Sequence, residues 1–288
     1  MNVISEINNA AALAIQQSQT THIDYSGLLA EAFGKKVGEI GQMVEHYNFK
    51  EFILRQTTSR DVGSEDFLHC DLAPCYGTLD KGTIQDMDLE LKVMIAATMK
   101  YLAKLEDKSW RNVLASMSQN VLLEPEGEPI ARTTSFTKES VSQWKFDGSP
   151  QSTIVQEVKT WFNKLISDDD VLQSTRIGIN VLADIVASTG ATVDSFEAVF
   201  MKDEYHERTL VDIGVLRFPD ISHPYFKLYR IKLVAYSDSR RILFAQTDRN
   251  GITGEYNCRT FKPRKSVIEN MTERALASAA ATAESLFP

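Results

Sequence analysis

A chain of 288 residues, 43% apolar and 24% charged, with a net charge of −8, has ordinary soluble globular composition and can bury one large core or two modest ones. No stretch reaches the roughly twenty apolar residues of a membrane-crossing helix. The first nineteen residues have no cationic region and carry Glu6 and several amides within their apolar part, which argues against a cleaved secretory signal.

Three cysteines are an odd number and sparse for the length, which suits a reducing compartment. Cys70 and Cys75, in the run HCDLAPC, are close enough to pair or to share a metal with His69. Their spacing matches no zinc pattern and leaves the ligand set incomplete, so small buried thiols are expected, and no cofactor or metal. The charge is unevenly spread. Residues 224–265 carry ten Lys or Arg against three acids, a net of +7, which leaves −15 on the rest of the chain. A basic sheet on an acidic body points either to an anionic partner or to self-neutralisation by acidic helices of the same molecule.

Residues 1–48 read as a helical N-terminal extension, with segments over 3–17 and 26–47. In the second, Leu28, Leu29, Ala32, Phe33, Val37, Ile40 and Val44 recur at helical spacing behind Ser26 as N-cap. Gly34, Gly38 and Gly41 follow no strand and are not a nucleotide-binding fingerprint. Residues 49–288 read as one domain. A strand is predicted over 49–58, and loop or a weak strand over 63–74. The spacing of Met87, Leu91, Met94, Thr98, Tyr101, Leu102 and Leu105 predicts an amphipathic helix over 86–105. Asp86, Asp88 and Glu90 fall in its first turn, where they favour the helix dipole. A second helix over 109–122, with Trp110, Val113, Leu114, Met117 and Val121 on one side, completes a helical hairpin.

The acidic run 124–129, interrupted by two prolines, is predicted as loop, followed by strands over 130–137 and 140–146. Ser152 is placed as cap of a helix bearing Ile154, Val155, Val158, Trp161, Phe162, Leu165 and Ile166. Asp168, Asp169 and Asp170 read as linker, N-cap and first-turn charge, because the alternating ligands of a calcium loop are missing. The next helix bears Val171, Leu172, Thr175, Ile179, Leu182, Ile185 and Val186 and ends at Gly190. Strands follow over 193–201 and 209–218, with His206 in an acidic turn between them. Residues 225–261 organise the rest: three aromatic and β-branched runs, separated by SDS at 237–239 and by residues 248–254, read as a three-strand antiparallel meander. Such a sheet needs cover, which the helices supply. A terminal Ala-rich helix is predicted over 265–285.

This order of elements resembles the single-domain fold of the cytolytic (Cyt) δ-endotoxins of insect-pathogenic bacilli, from about residue 49 to the end. The local match is AYSDSRRILF at 235–244, a turn, then YNCRTF at 256–261: an Asp and Arg turn, an Ile-Leu-Phe run and a Tyr-x-x-x-x-Phe strand. The resemblance implies an α/β (α+β) domain with a central, mostly antiparallel sheet flanked by two helical hairpins, at 86–122 and 152–188, in three layers. It further implies a protein made in a bacterial cytoplasm without a classical signal peptide, released by another route, and soluble until it meets phospholipid. The hairpins would then move aside and the long strands associate with or enter the bilayer. An N-terminal extension is removed by proteolysis in that family. Strands cross membranes only as closed barrels, and the predicted inserting strand departs from barrel alternation, with Lys227 on one face and Arg230 and Lys232 on the other. A bulge near Leu228 and Tyr229 would restore the alternation in part.

The first functional expectation is therefore a membrane-active, non-enzymatic cytolytic toxin or virulence factor that binds phospholipid, with pore formation and homo-oligomerisation on the membrane as its extension. Candidate lipid-contacting residues are Tyr225, Phe226, Leu228, Arg230, Lys232, Arg240, Arg241, Leu243 and Phe244, together with Trp161 and Phe162. The alternative is a soluble accessory subunit of a toxin system that holds an acyl chain or another protein. Nucleic acid is disfavoured as a partner. Tyr225, Phe226, Tyr229, Tyr236, Phe244 and Tyr256 do interleave with basic residues, but many of these aromatics must face the core. His22, His46, His69, His206 and His223 have no nucleophile or carboxylate at motif spacing, so catalysis is not expected.

Overall fold

The computed structural model describes residues 58–79, 82–140, 152–187, 201–242 and 245–268, with single positions at 277 and 281. Five long strands, β1 (Thr58–Leu72), β2 (Leu123–Ser140), β3 (Met201–Phe218), β4 (Tyr225–Ile242) and β5 (Ala245–Pro263), form one sheet in the order β1-β3-β4-β5-β2. β1 runs parallel to β3, and the other three pairings are antiparallel. Helices α1 (Gly82–Lys104) and α2 (Trp110–Ser118) lie between β1 and β2. Helices α3 (Ser152–Ile166), α4 (Asp169–Ser174) and α5 (Ile179–Ala187) lie between β2 and β3, and α6 (Lys265–Ile268) follows β5. The mixed α/β class and the mostly antiparallel sheet agree with the sequence reading.

Successive side chains of a strand point to opposite faces, and both faces of this sheet are buried by helices. On β3, Leu210, Leu216 and Phe218 face α3, α4 and α5, whose Ile154, Val158, Phe162, Leu165, Val171, Leu182 and Val186 complete that core. Val211, Ile213 and Val215 face the other way, against Leu91, Ile95 and Leu102 of α1 and Val113 and Met117 of α2. Burial on both faces accounts for the near-continuous apolar run of β3. Each fully buried aliphatic or aromatic side chain contributes roughly 1.5–3 kcal/mol.

The predicted meander resolves into two strands. Residues 237–239 continue β4 and residues 248–254 continue β5, because polar side chains that usually mark turns meet across the ladder here. Ser237 Oγ donates to Asn250 Oδ1 at 2.9 Å, Ser239 Oγ to Asp248 Oδ1 at 2.6 Å, and Asn250 Nδ2 to the Val186 carbonyl at 3.0 Å. His206 and its acidic neighbours likewise lie within β3 and not in a turn. The predicted loop 124–129 belongs to β2, with residues 127–129 bulged between the Glu126–Thr260 and Ile130–Cys258 pairs. β2 is an edge of the described sheet, where proline is tolerated.

The predicted loop or weak strand at 63–74 is the body of the fifteen-residue β1, while all but the last residue of the predicted strand 49–58 lie outside the described residues. α1 starts earlier than predicted, so Asp86, Asp88 and Glu90 are not in its first turn. Asp88 is instead buried, 2.8 Å from Arg217 Nε. α2 stops at Ser118. Asp168 does cap α4, accepting from the Val171 N–H at 3.3 Å. The single helix predicted after it is two, α4 and α5, because residues 175–178 leave helical geometry to bind Asp212. The extension 1–48, the strand over 140–146 beyond Ser140, Gly190, the strand over 193–201 before Met201, and most of the terminal helix lie outside the described residues.

Candidate functional site

The ladder between β4 and β5 runs without a register break, so no bulge interrupts it at Leu228 or Tyr229. Tyr229, Ile231, Leu233 and Ala235 of β4 therefore share one face with Cys258, Tyr256, Gly254 and Ile252, their partners on β5. All are buried beneath α3, α4 and α5. The reverse face of the same rows carries Arg230, Lys232, Glu255 and Thr253. Apolar and polar positions alternate cleanly from Tyr229 to Lys232. Lys227 lies on this same face between Tyr225 and Tyr229, its ammonium 2.9 Å from Asp168 and 5.0 Å from the centre of the Phe218 ring.

Helix α3 seats on this stripe through the absence of a side chain. A Cβ on Gly254 would lie 2.6 Å from Leu165 Cδ2 and 2.7 Å from Trp161 Cη2, so any larger residue would force these α3 side chains to shift. Arg132 of β2 reaches the C-terminus of α3 and donates to the Leu165 and Ile166 carbonyls at 3.1 Å each, and to Ser167 Oγ. A cation there satisfies terminal carbonyls and complements the helix dipole. In the same seam Trp161 Nε1 has no hydrogen-bond acceptor among the described residues.

A polar cluster lies on the same face, toward β1. His69 Nδ1 is 2.7 Å from Asp71 Oδ2, and His69 Nε2 is 3.0 Å from Asp212 Oδ1 and 3.1 Å from the Tyr229 hydroxyl. Asp212 is fully buried and also accepts from Thr175 Oγ1 at 2.6 Å and the Arg176 N–H at 3.0 Å. Arg176 NH2 reaches Asp71 at 2.8 Å. Gly214, which pairs with Tyr229, makes room for the phenol ring to cross toward the cluster. Burial lowers the His69 pKa, but Asp212 and then Asp71 outweigh it and hold the imidazole above its ordinary 6.5. Burial, reinforced by Asp212 and Asp71, pushes the Tyr229 phenol up. With carboxylates on both ring nitrogens, His69 offers no free nitrogen for base catalysis.

The candidate lipid-contacting residues do not form one surface. Tyr225 stacks on Phe218 with ring centres 4.2 Å apart, on the α3–α5 side. Phe226 and Leu228 are fully buried on the opposite side beneath α1 and α2. Arg230 is buried on that side too, donating to the Lys108 carbonyl at 2.7 Å and to Glu255 at 3.0 Å. Lys232 is half-buried, and Arg240 is exposed, 3.5 Å from Asp203. Arg241 lies on β4, while Leu243 and Phe244 lie outside the described residues. Trp161 and Phe162 both lie in α3 and pack in the core of the α3–α5 face.

Four basic residues of the +7 segment, Lys227, Arg240, Lys262 and Arg264, lie within 4.0 Å of Asp168, Asp203, Glu126 and Glu124 respectively, acids outside that segment, so self-neutralisation accounts for this part of the asymmetry, while Arg230 pairs with Glu255 inside it. His69 and Cys70 are consecutive on a strand and face opposite sides, which prevents a shared metal. Cys75 is exposed, not a buried thiol, and Cys258 is buried. His223 lies in the connection between β3 and β4, 2.9 Å from Glu126. A groove of about 230 Å³ is lined by Asp61, Ile185, His206, Glu207, Arg208 and Ser237. No protein-family model matches the chain, and no curated protein matches it.

Proposed function

We propose that this protein is a membrane-active, non-enzymatic cytolytic toxin or virulence factor with a Cyt-like fold, which binds phospholipid once the α3–α5 layer moves off the sheet. The carrying observation is the β4–β5 stripe: Tyr229, Ile231, Leu233, Ala235, Ile252 and Tyr256 on one face, with charged and polar groups on the reverse. Lifting the α3–α5 layer would expose this apolar stripe to lipid while α1 and α2 kept the reverse face covered. Support also comes from strand length. β3, β4 and β5 have 18, 18 and 19 residues, against the roughly 9–11 that a tilted strand needs to cross a bilayer. Helical cover on both faces supports the three-layer reading.

The test uses vesicles of phosphatidylcholine and phosphatidylserine loaded with a self-quenched dye, treated with intact or protease-trimmed protein. The expected result is dye release together with co-sedimentation. Absence of both would remove the proposal. Co-sedimentation without release would reduce it to surface binding. Purified protein carrying an acyl chain but ignoring vesicles would favour the accessory subunit.

A further inference from the structure

We propose that His69 is a proton-operated clamp: as imidazolium it ties Asp71 of β1, and through Asp71 the side chain of Arg176 in the α4–α5 connector (residues 175–178), to Asp212 of β3, and on losing its proton it lets Asp71 go. A neutral imidazole has one N–H and one lone pair, whereas ionised carboxylates only accept. Nδ1 lies 2.7 Å from Asp71 and Nε2 lies 3.0 Å from Asp212, so only the doubly protonated ring satisfies both. The groups facing this ring are Asp71 from β1, Asp212 from β3 and the Tyr229 hydroxyl from β4. The connector's Arg176 joins through Asp71. Two aspartates are then balanced by Arg176 and the imidazolium. Loss of the proton leaves one negative charge in excess.

The position of each carboxylate decides which contact breaks. Asp212 is fully buried and keeps Thr175 Oγ1 and the Arg176 N–H as donors, so the remaining ring N–H stays with it. Asp71 then faces a lone pair. Its side chain is 35% exposed and its partner Arg176 is 54% exposed, so both can turn to water. The imidazole is held above 6.5, so the linkage has a definite sign: the tie is complete below pH 6.5 and is lost as pH rises through the folded-state value. The connector joins helices that cover the β4–β5 stripe, but the clamp belongs to the closed protein and stands without the membrane reading.

The test is amide hydrogen exchange of residues 67–72 in the full-length protein from pH 6 to pH 10, corrected for intrinsic exchange and compared with residues 175–178, which Asp212 holds in both states, alongside imidazole NMR titration. Opening of residues 67–72 should rise by up to about tenfold per pH unit above 6.5 and then level off at the folded-state value. His69→Gln should abolish that pH dependence, and Asp71→Asn should lower one imidazole titration, that of His69. Should His69→Gln fail to fold, the Asp71→Asn shift still identifies the ring. A His69 that titrates at or below 6.5 would overturn the proposal, as would exchange of residues 67–72 that is flat with pH or rises equally in His69→Gln.

Discussion

Gly214 shows how much one missing side chain does in this sheet. A Cβ there would lie 2.5 Å from the Tyr229 hydroxyl oxygen and within the same ring's van der Waals envelope. Gly214→Ala should displace the phenol from His69 and destabilise the protein by about 1–3 kcal/mol, as overpacking does. Urea denaturation checks this, and an unchanged midpoint would mean that the ring is not seated as described. Part of this cluster was legible in the sequence. His69 and Asp71 are two apart on a strand and so share a face, and Asp212 sits in a run whose neighbours on both sides are apolar. Their meeting was not legible, because Asp212 comes 143 residues after His69 and only the parallel pairing of β1 with β3 joins them.

Among the elements, α3 was the easiest to read and its seat the hardest. Its apolar positions recur at helical spacing, a local property, and its buried residues Ile154, Val158, Phe162, Leu165 and Ile166 are those the spacing predicts. That Trp161 and Leu165 rest on Gly254 of β5 depends on the packing of distant segments. Gly254→Val should lift α3 from the sheet and lower stability by about 1–3 kcal/mol. On the proposed function it should also raise dye release at fixed dose, measured beside the denaturation midpoint. Reduced stability with unchanged release would show that α3 is not the element that moves. Strand boundaries failed where Ser, Asp and Asn stood for turns, because cross-strand hydrogen bonds from Ser237 and Ser239 satisfy these groups inside the ladder.

At the scale of the molecule, two buried ionic ties join helices to the sheet and respond oppositely to pH. Arg217 of β3 holds Asp88 of α1 at 2.8 Å, with Lys92 at 2.9 Å on the other side. Burial opposes ionisation of Asp88, but Arg217 and then Lys92 outweigh it and set its pKa below the ordinary 3.8. Its stabilisation is therefore present above pH 3.8 and lost as pH falls through the folded value, whereas that of His69 is lost on the alkaline side. Arg217→Met should cost about 3–5 kcal/mol at neutral pH by leaving a buried carboxylate short of its partner, and should flatten the acid limb of stability between pH 2 and pH 5. Denaturation midpoints across that range check both, and an unaltered acid limb would assign it to other carboxylates. By itself the sequence determined the amphipathic helices, the α/β class and the clustering of strands late in the chain, because each is written in local periodicity and composition. Only the tertiary structure decided strand lengths, the burial of Asp88 and the division of the candidate lipid-contacting residues between two faces. Those depend on which distant groups satisfy a polar side chain, and no local pattern encodes that.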